Sequence, residues 1–309
     1  MAFTEPKTEQ ITASGHALEL SSDKFGVLRD SSDVAFDSVQ LRERMEEDGY
    51  LYLPNLLNRE EVIEARRVVA NQLMAEGHLE TGTDPMDCIA AKDAKLAFRP
   101  DVAKDNPALM KVLYDGPMMA FYERFLGCEV RHFDFTWFRA ISPGGATFPH
   151  TDAVYMNRGT QDLYTSWTPI GDVTTEIGGL MVLEGSHKHQ KLRENYSTRD
   201  VDAFCENKVG KVFTGMGGGG NIREGGYLSK NPVTLRDAIG GRWLTANFRM
   251  GDLLMFSIYT VHASIDNRSN QIRLSSDSRY QSAAEPADER WIGPNPTGHG
   301  KDSKRAMIC

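Results

Sequence analysis

The chain has 309 residues, 40% of them hydrophobic and 25% charged, the balance of an ordinary folded protein with room for a substantial core. Acidic residues outnumber basic ones 43 to 35, and the resulting charge of −8, with both signs interspersed, argues against a nucleic-acid or anionic-membrane surface. Apolar runs such as Leu253 to Phe256 are far too short to span a membrane, and the polar N-terminus lacks the apolar stretch of a signal peptide, so a cytoplasmic location is expected. The four cysteines, Cys88, Cys128, Cys205 and Cys309, neither cluster nor show Cys-x-x-Cys spacing, which points to free thiols.

Residues 1–37 are mostly polar and without steady period; they read as a surface arm on a single domain spanning 1–309. A short helix is expected over Ser38–Asp48, ended by Gly49, followed by a strand over Tyr50–Leu53 that Pro54 stops. Asn58 with Glu61 three residues on has the form of a helix cap, and Val62, Ala65, Val69 and Leu73 share one face of the helix that follows, up to Gly77. A second helix is expected from Pro107 to Phe125, capped by Asn106 and closed by Gly127.

Beyond residue 128 the pattern turns to strands. Val130–Ile141 is rich in aromatic and β-favouring residues, with Phe133, Phe135 and Trp137 in phase. Further strands are expected around Phe148–Tyr155, Tyr164–Ile170, Gly179–Leu183, Asp252–Tyr259 and Gln271–Tyr280. The weakly patterned, glycine-rich stretch 190–245 reads as a lid or insert, and 284–309 as a tail. Helices confined to the first third and short strands afterwards predict a mainly β (α+β) fold, a jelly roll of about eight strands with helices packed outside.

The chemistry centres on His150-x-Asp152, answered downstream by His262 and Arg273. Residues two apart on a strand point the same way, so His150 and Asp152 can face one ion if their segment is extended. Two imidazoles and one carboxylate form the facial triad of non-haem Fe(II), which leaves positions open for oxygen chemistry. Arg273, on a strand that can fold back beside His262, supplies a two-pronged cation for an anionic co-substrate, and Ser264 offers a hydroxyl to the same carboxylate.

Other motifs point to blander uses. Gly215 to Gly220 satisfies a dinucleotide fingerprint, yet the chain beyond it reaches Pro232 without the helix that fingerprint requires, so a flexible loop is expected. His187-Lys-His189 sits among polar loop residues and reads as structural. Trp137 and Arg139 alternate with Phe138 and are candidates for either cavity lining or packing; Tyr155 is out of phase with His150 and is expected to point away from the metal.

The ordered set His150-Thr-Asp152, Gly178 through Gly185-Ser-His187, and His262-Ala-Ser264 with Arg273 resembles the phytanoyl-CoA dioxygenase family, as does the opening Asp48-Gly-Tyr-Leu-Tyr-Leu-Pro54. The resemblance spans about residues 40–280. It implies a double-stranded β-helix (cupin-like) fold and oxidation of a small-molecule substrate by O2, with 2-oxoglutarate converted to succinate and CO2. It implies Fe(II) on His150, Asp152 and His262, the distal carboxylate of 2-oxoglutarate on Arg273 and Ser264, and Thr147 and Trp167 lining the co-substrate pocket. Halogenating relatives lack the metal carboxylate, so Asp152 favours hydroxylation. Two other uses of the same residues stay open at this point: a cupin-like metal enzyme without 2-oxoglutarate, and a non-catalytic ligand binder. Substrate identity and oligomeric state are not legible.

Overall fold

The computed structural model describes residues 10–104, 106–205 and 226–307; the run Gly215–Gly220 and the middle of the expected lid lie outside the described residues. The described chain opens with a small hairpin, β1 (Thr12–Ala13) and β2 (His16–Ala17), and strand β3 (Phe25–Val27). Helix α1 (Ser38–Asp48) starts where Asp37 accepts the Val39 and Gln40 amides and stops at Gly49, whose φ of 76° is left-handed. Strand β4 (Tyr50–Leu53) leads to α2 (Arg59–Ala75), capped by Asn58, with Val62, Ala65, Val69 and Leu73 fully buried.

The helix expected over 107–125 is two. After α3 (Pro100–Ala103), α4 (Pro107–Tyr114) ends at Asp115, which is extended and caps α5 (Gly116–Leu126). Pro117 explains the break: it has no amide for the Leu113 carbonyl one turn back, and its ring would clash there. The freed Leu113 carbonyl accepts the Tyr280 hydroxyl instead.

The aromatic run at 130–141 divides into β5 (Val130–His132) and β6 (Trp137–Ile141), because the Asp134 and Phe135 amides between them donate to the Trp291 carbonyl. Then come β7 (Tyr164–Pro169), β8 (Leu180–Leu183), β9 (Ala203–Cys205), α6 (Pro232–Ile239), β10 (Trp243–Thr245), β11 (Leu253–Ser257), β12 (His262–Ser264), β13 (Arg273–Ser282) and β14 (Arg305–Met307).

Two sheets face each other. The larger runs β4-β11-β7-β13-β5, with β6 also paired to β13; the smaller runs β12-β8-β10-β3. Ten strands thus form the jelly roll where about eight were expected, and the sheets stay separate rather than closing into a barrel. Strand alternation sorts the apolar residues into layers. Leu254 and Phe256 of β11 meet Leu180 and Val182 of β8 between the sheets, with Trp167 and Phe248. Leu253 and Met255 face the opposite way, against the helices. Met181 and Leu183 of β8 are covered by Ile11, Ala13 and Leu18.

That last layer corrects the surface arm: residues 11–28 seal the outer face of the smaller sheet, and β3 pairs in parallel with β10. The pattern concealed this because only a few spaced residues carry the burial. In the lid or insert, residues 232–245 supply α6 and an inner strand of that same sheet. The tail is likewise built in. Arg290, 1% exposed, meets Asp200, Asp202 and Asp288 at 3.1, 2.8 and 2.5 Å, and β14 pairs with β9. No helix among the described residues is long and apolar enough to cross a membrane, and Cys88 and Cys128 are free thiols.

His187 has the structural role expected of it. Its Nε2 bonds the Glu46 carbonyl at 3.0 Å, and its ring lies against Gly49, where an added Cβ would come within 2.3 Å. A Gly49→Ala substitution therefore combines a left-handed backbone penalty with a clash. We expect it to lower unfolding stability by about 2–4 kcal/mol, measured as a shifted urea midpoint; an unchanged midpoint would contradict this packing.

Candidate active site

His150 and His262 are brought together by one antiparallel bridge, the His150 amide donating to the His262 carbonyl at 3.0 Å and the reverse bond at 2.9 Å. Their ring centres are 4.2 Å apart. The expected strand through Tyr155 ends there: Asp152 opens a 3-10 turn, Asp152–Val154, instead of continuing an extended segment. Convergence survives because the turn folds the carboxylate back. Asp152 Oδ1 lies 3.9 Å from Nε2 of His150 and 3.8 Å from Nε2 of His262, and one ligand atom from each residue falls within 4.8 Å of the others.

Tautomers follow from the hydrogen bonds. Nδ1 of His150 bonds the Phe148 carbonyl at 2.7 Å, and Nδ1 of His262 bonds the Thr260 carbonyl at 3.0 Å. Carbonyls only accept, so each Nδ1 carries the proton and each Nε2 presents a lone pair to the common point. The other Asp152 oxygen, Oδ2, accepts from Thr165 Oγ1 at 2.5 Å and from Arg279 Nη2 at 2.9 Å. Burial, reinforced by His262, pushes the His150 pKa down to about 3, and burial lowers His262 as well. Burial alone would raise Asp152, but the Arg279 guanidinium beside it outweighs burial and holds the carboxyl below its usual range.

Arg273 stands on the inner face of β13, 1% exposed. Its Nη1 donates to the Gly178 carbonyl, while Nε and Nη2 have no partner among the described residues. Burial, with Arg139 nearby, pulls its pKa down to about 10. Ser264 is fully buried and its Oγ accepts the Thr147 amide at 2.7 Å, so its own hydrogen remains to be donated. Thr147 thus enters the site through its backbone. Trp167 packs edge-on against Phe248 at 4.7 Å in the inter-sheet core, with Nε1 unpartnered. Buried donors without acceptors are costly, and a dicarboxylate bound here would supply the acceptors they lack.

Over the metal point opens a cavity of about 320 Å³. Aromatic side chains Phe98, Trp137, Tyr155 and Tyr227 wall it, with Arg139 and His299 as polar members. Trp137 and Arg139 both line it, Arg139 held by Asp277 at 2.7 Å. The expectation for Tyr155 is corrected: the turn that replaces the strand brings its ring edge-on to His150, 5.7 Å between centres. The sequence reading missed Thr165, Arg279 and His299. Arg279 was within reach of it, being six residues past Arg273 and in phase on the same strand face.

Two imidazoles and one carboxylate gathered between the facing sheets, with open space above, define a mononuclear non-haem iron oxygenase site. Residues 45–275 match the phytanoyl-CoA dioxygenase (PhyH) family. The chain belongs to that family and is an Fe(II)- and 2-oxoglutarate-dependent dioxygenase. Among curated proteins it is 24% identical over 307 residues to a 1-deoxypentalenic acid 11-beta-hydroxylase of Streptomyces arenae, covering 93% of this chain and 96% of the relative. The Streptomyces exfoliatus hydroxylase of the same name is 26% identical over 297 residues, 90% of this chain and 93% of the relative. Among solved structures, the non-heme alpha ketoglutarate dependent carbocyclase SnoK from nogalamycin biosynthesis has a TM-score of 0.58 at 16% identity, covering 89% of this chain and 93% of that one. EctD from S. alaskensis has a TM-score of 0.54 at 15% identity, covering 93% of each chain. These two likenesses are of fold.

Because the native imidazole pKa values lie below the unfolded value of about 6.5, the unfolded chain binds more protons than the native one as pH falls through that value. Stability of the metal-free protein should therefore drop between pH 7 and 5, by at most about 1.4 kcal/mol per pH unit for each imidazole. Urea midpoints measured against pH should show this slope, and His150→Gln should reduce it; equal slopes in the two proteins would count against a neutral buried His150.

Proposed function

We propose that the chain hydroxylates a C–H bond of a small, largely apolar organic acid. The observation that carries the reading is the His150, Asp152 and His262 cluster beneath an aromatic-walled cavity of about 320 Å³ that also presents Arg139. The curated relatives, named as hydroxylases of 1-deoxypentalenic acid, support an acid of this kind. When bound, Fe(II) and 2-oxoglutarate supply O2 activation and substrate oxidation, with succinate and CO2 released.

The residues have divided tasks. His150 and His262 offer Nε2, and Asp152 offers Oδ1, to the iron. Arg273, through Nε and Nη2, and the Ser264 hydroxyl hold the distal carboxylate of 2-oxoglutarate; the Thr147 amide keeps that hydroxyl oriented, and Trp167 Nε1 gives a further donor in the same inter-sheet space. Phe98, Trp137, Tyr155 and Tyr227 orient an apolar substrate and keep water from the oxidising centre. A cytoplasmic location and a small molecule, not a nucleic acid, as substrate belong to the same proposal, in keeping with the free thiols and a charge of −8.

Asp152→Ala and His262→Ala should each abolish Fe(II)-dependent succinate formation, with losses of at least about 100-fold. Arg273→Ala should raise the KM for 2-oxoglutarate about 10–100-fold, as expected for losing charge-assisted bonds of ~1.5–3 kcal/mol. Succinate release is measured with 1-deoxypentalenic acid and other alicyclic acids, each beside its methyl ester. A wild-type KM in Arg273→Ala would sink the co-substrate assignment, and equal stimulation by acids and esters would sink the acid.

A further inference from the structure

Asp152 is a metal ligand that its own segment does not hold in place. It opens a short 3-10 turn, and Thr151 before it makes no capping bond with its side chain. What fixes the carboxylate comes from the larger sheet. Thr165 on β7 and Arg279 on β13 are direct cross-strand partners, so their side chains leave the sheet on the same face and reach the same atom. Both donate to Oδ2, at 2.5 and 2.9 Å, while Oδ1 faces Nε2 of the two histidines.

Arg279 is itself anchored. It is 2% exposed, and its guanidinium carbon lies 4.3 Å from the centre of the Trp137 ring. Trp137 is the cross-strand partner of Asp277, two residues before Arg279 and so on the same face. The charge thus rests on an aromatic plane on one side and on Asp152 at its tip.

We propose that Arg279 is a positioning residue for the metal. With Thr165 it occupies Oδ2 and so makes Asp152 a one-oxygen ligand. An ion held by three protein atoms would keep positions open for 2-oxoglutarate and O2. A carboxylate free to turn and bind through both oxygens would remove one of them. The inference rests on His150, Asp152 and His262 being the ligands, and Arg279 lies beyond the residues matched to the family.

The test uses the full chain, stripped of metal and titrated with Co(II), whose visible absorption reports coordination number. Calorimetry gives the affinity, and thermal melting confirms folding. Arg279→Met should weaken Co(II) binding about 10–100-fold, the usual effect of losing such a supporting contact, and should alter the cobalt spectrum. Arg279→Lys should recover part of both. Thr165→Val should shift both in the same direction by less, and Thr165→Ser should match the wild type. If Arg279→Met fails to fold, Arg279→Lys and Thr165→Val carry the comparison. Wild-type affinity and spectrum in Thr165→Val and in any folded Arg279 variant would overturn the proposal. Asp152→Ala separates the two layers: if it also binds Co(II) normally, the ligand reading falls with it, whereas a loss confined to Asp152→Ala defeats the role of Arg279 alone.

Discussion

A carboxylate with 2% of its surface exposed has to be answered on both oxygens, and the architecture around Asp152 is arranged to do so. One oxygen is met by a hydroxyl and a guanidinium from adjacent strands of the larger sheet, and the other points, with the Nε2 atoms of two histidines whose backbones bridge to one another on the opposite side, at the place where a metal cation would answer it. Bringing those groups together needs the two sheets stacked face to face, with β13 central in the larger one. The inner face of β13 is accordingly polar, Arg273, Ser275, Asp277 and Arg279 in alternation, while Leu274 and Tyr280 on its outer face pack among the helices. One strand therefore carries both Arg273, the cation proposed for the co-substrate, and Arg279, the proposed support of Asp152.

The helical layer reaches the site through the same strand. Pro117 breaks what would have been one helix and leaves the Leu113 carbonyl without a partner; the Tyr280 hydroxyl takes it up. Tyr280 also stacks on Tyr122, with ring centres 4.0 Å apart. Its neighbour Arg279 points the other way, to Asp152. A local backbone defect in the helices and the orientation of a metal ligand are thus two faces of consecutive residues.

Local rules made much of the molecule readable. Caps at Asn58 and Asn106 and stops at Gly49 and Gly127 are chemistry within a few residues, and helix positions follow from them. His150, Asp152 and His262 are legible as a set, although strand alternation is not what joins them: a 3-10 turn folds Asp152 towards His150, and a backbone bridge sets His150 beside His262. That same turn reversed Tyr155. The strand face of Arg279 can be read from Arg273, but its pairing with Thr165 cannot, because that is a matter of register between strands more than 100 residues apart, which periodicity does not encode. The N-terminal segment conceals its burial in scattered residues, Ile11, Ala13 and Leu18 against the smaller sheet and Leu28, Val34 and Ala35 further on.

The terminal segment, finally, separates two properties that an enzyme of this kind must adjust independently. The metal cluster lies inside the residues shared with the family, whereas His299, at the rim of the cavity, lies outside them. Its ring is held by Asp202 at 2.8 Å, and Asp202 belongs to a largely buried knot in which Arg158, Arg290 and the partly exposed Lys304 face Asp200, Asp202 and Asp288. A charge-balanced knot of this sort fastens one end of the chain firmly while asking nothing of the iron ligands. Mutation along that end can therefore remodel the cavity rim while the oxidising machinery stays intact, a division through which one reaction could be inherited by enzymes for different substrates.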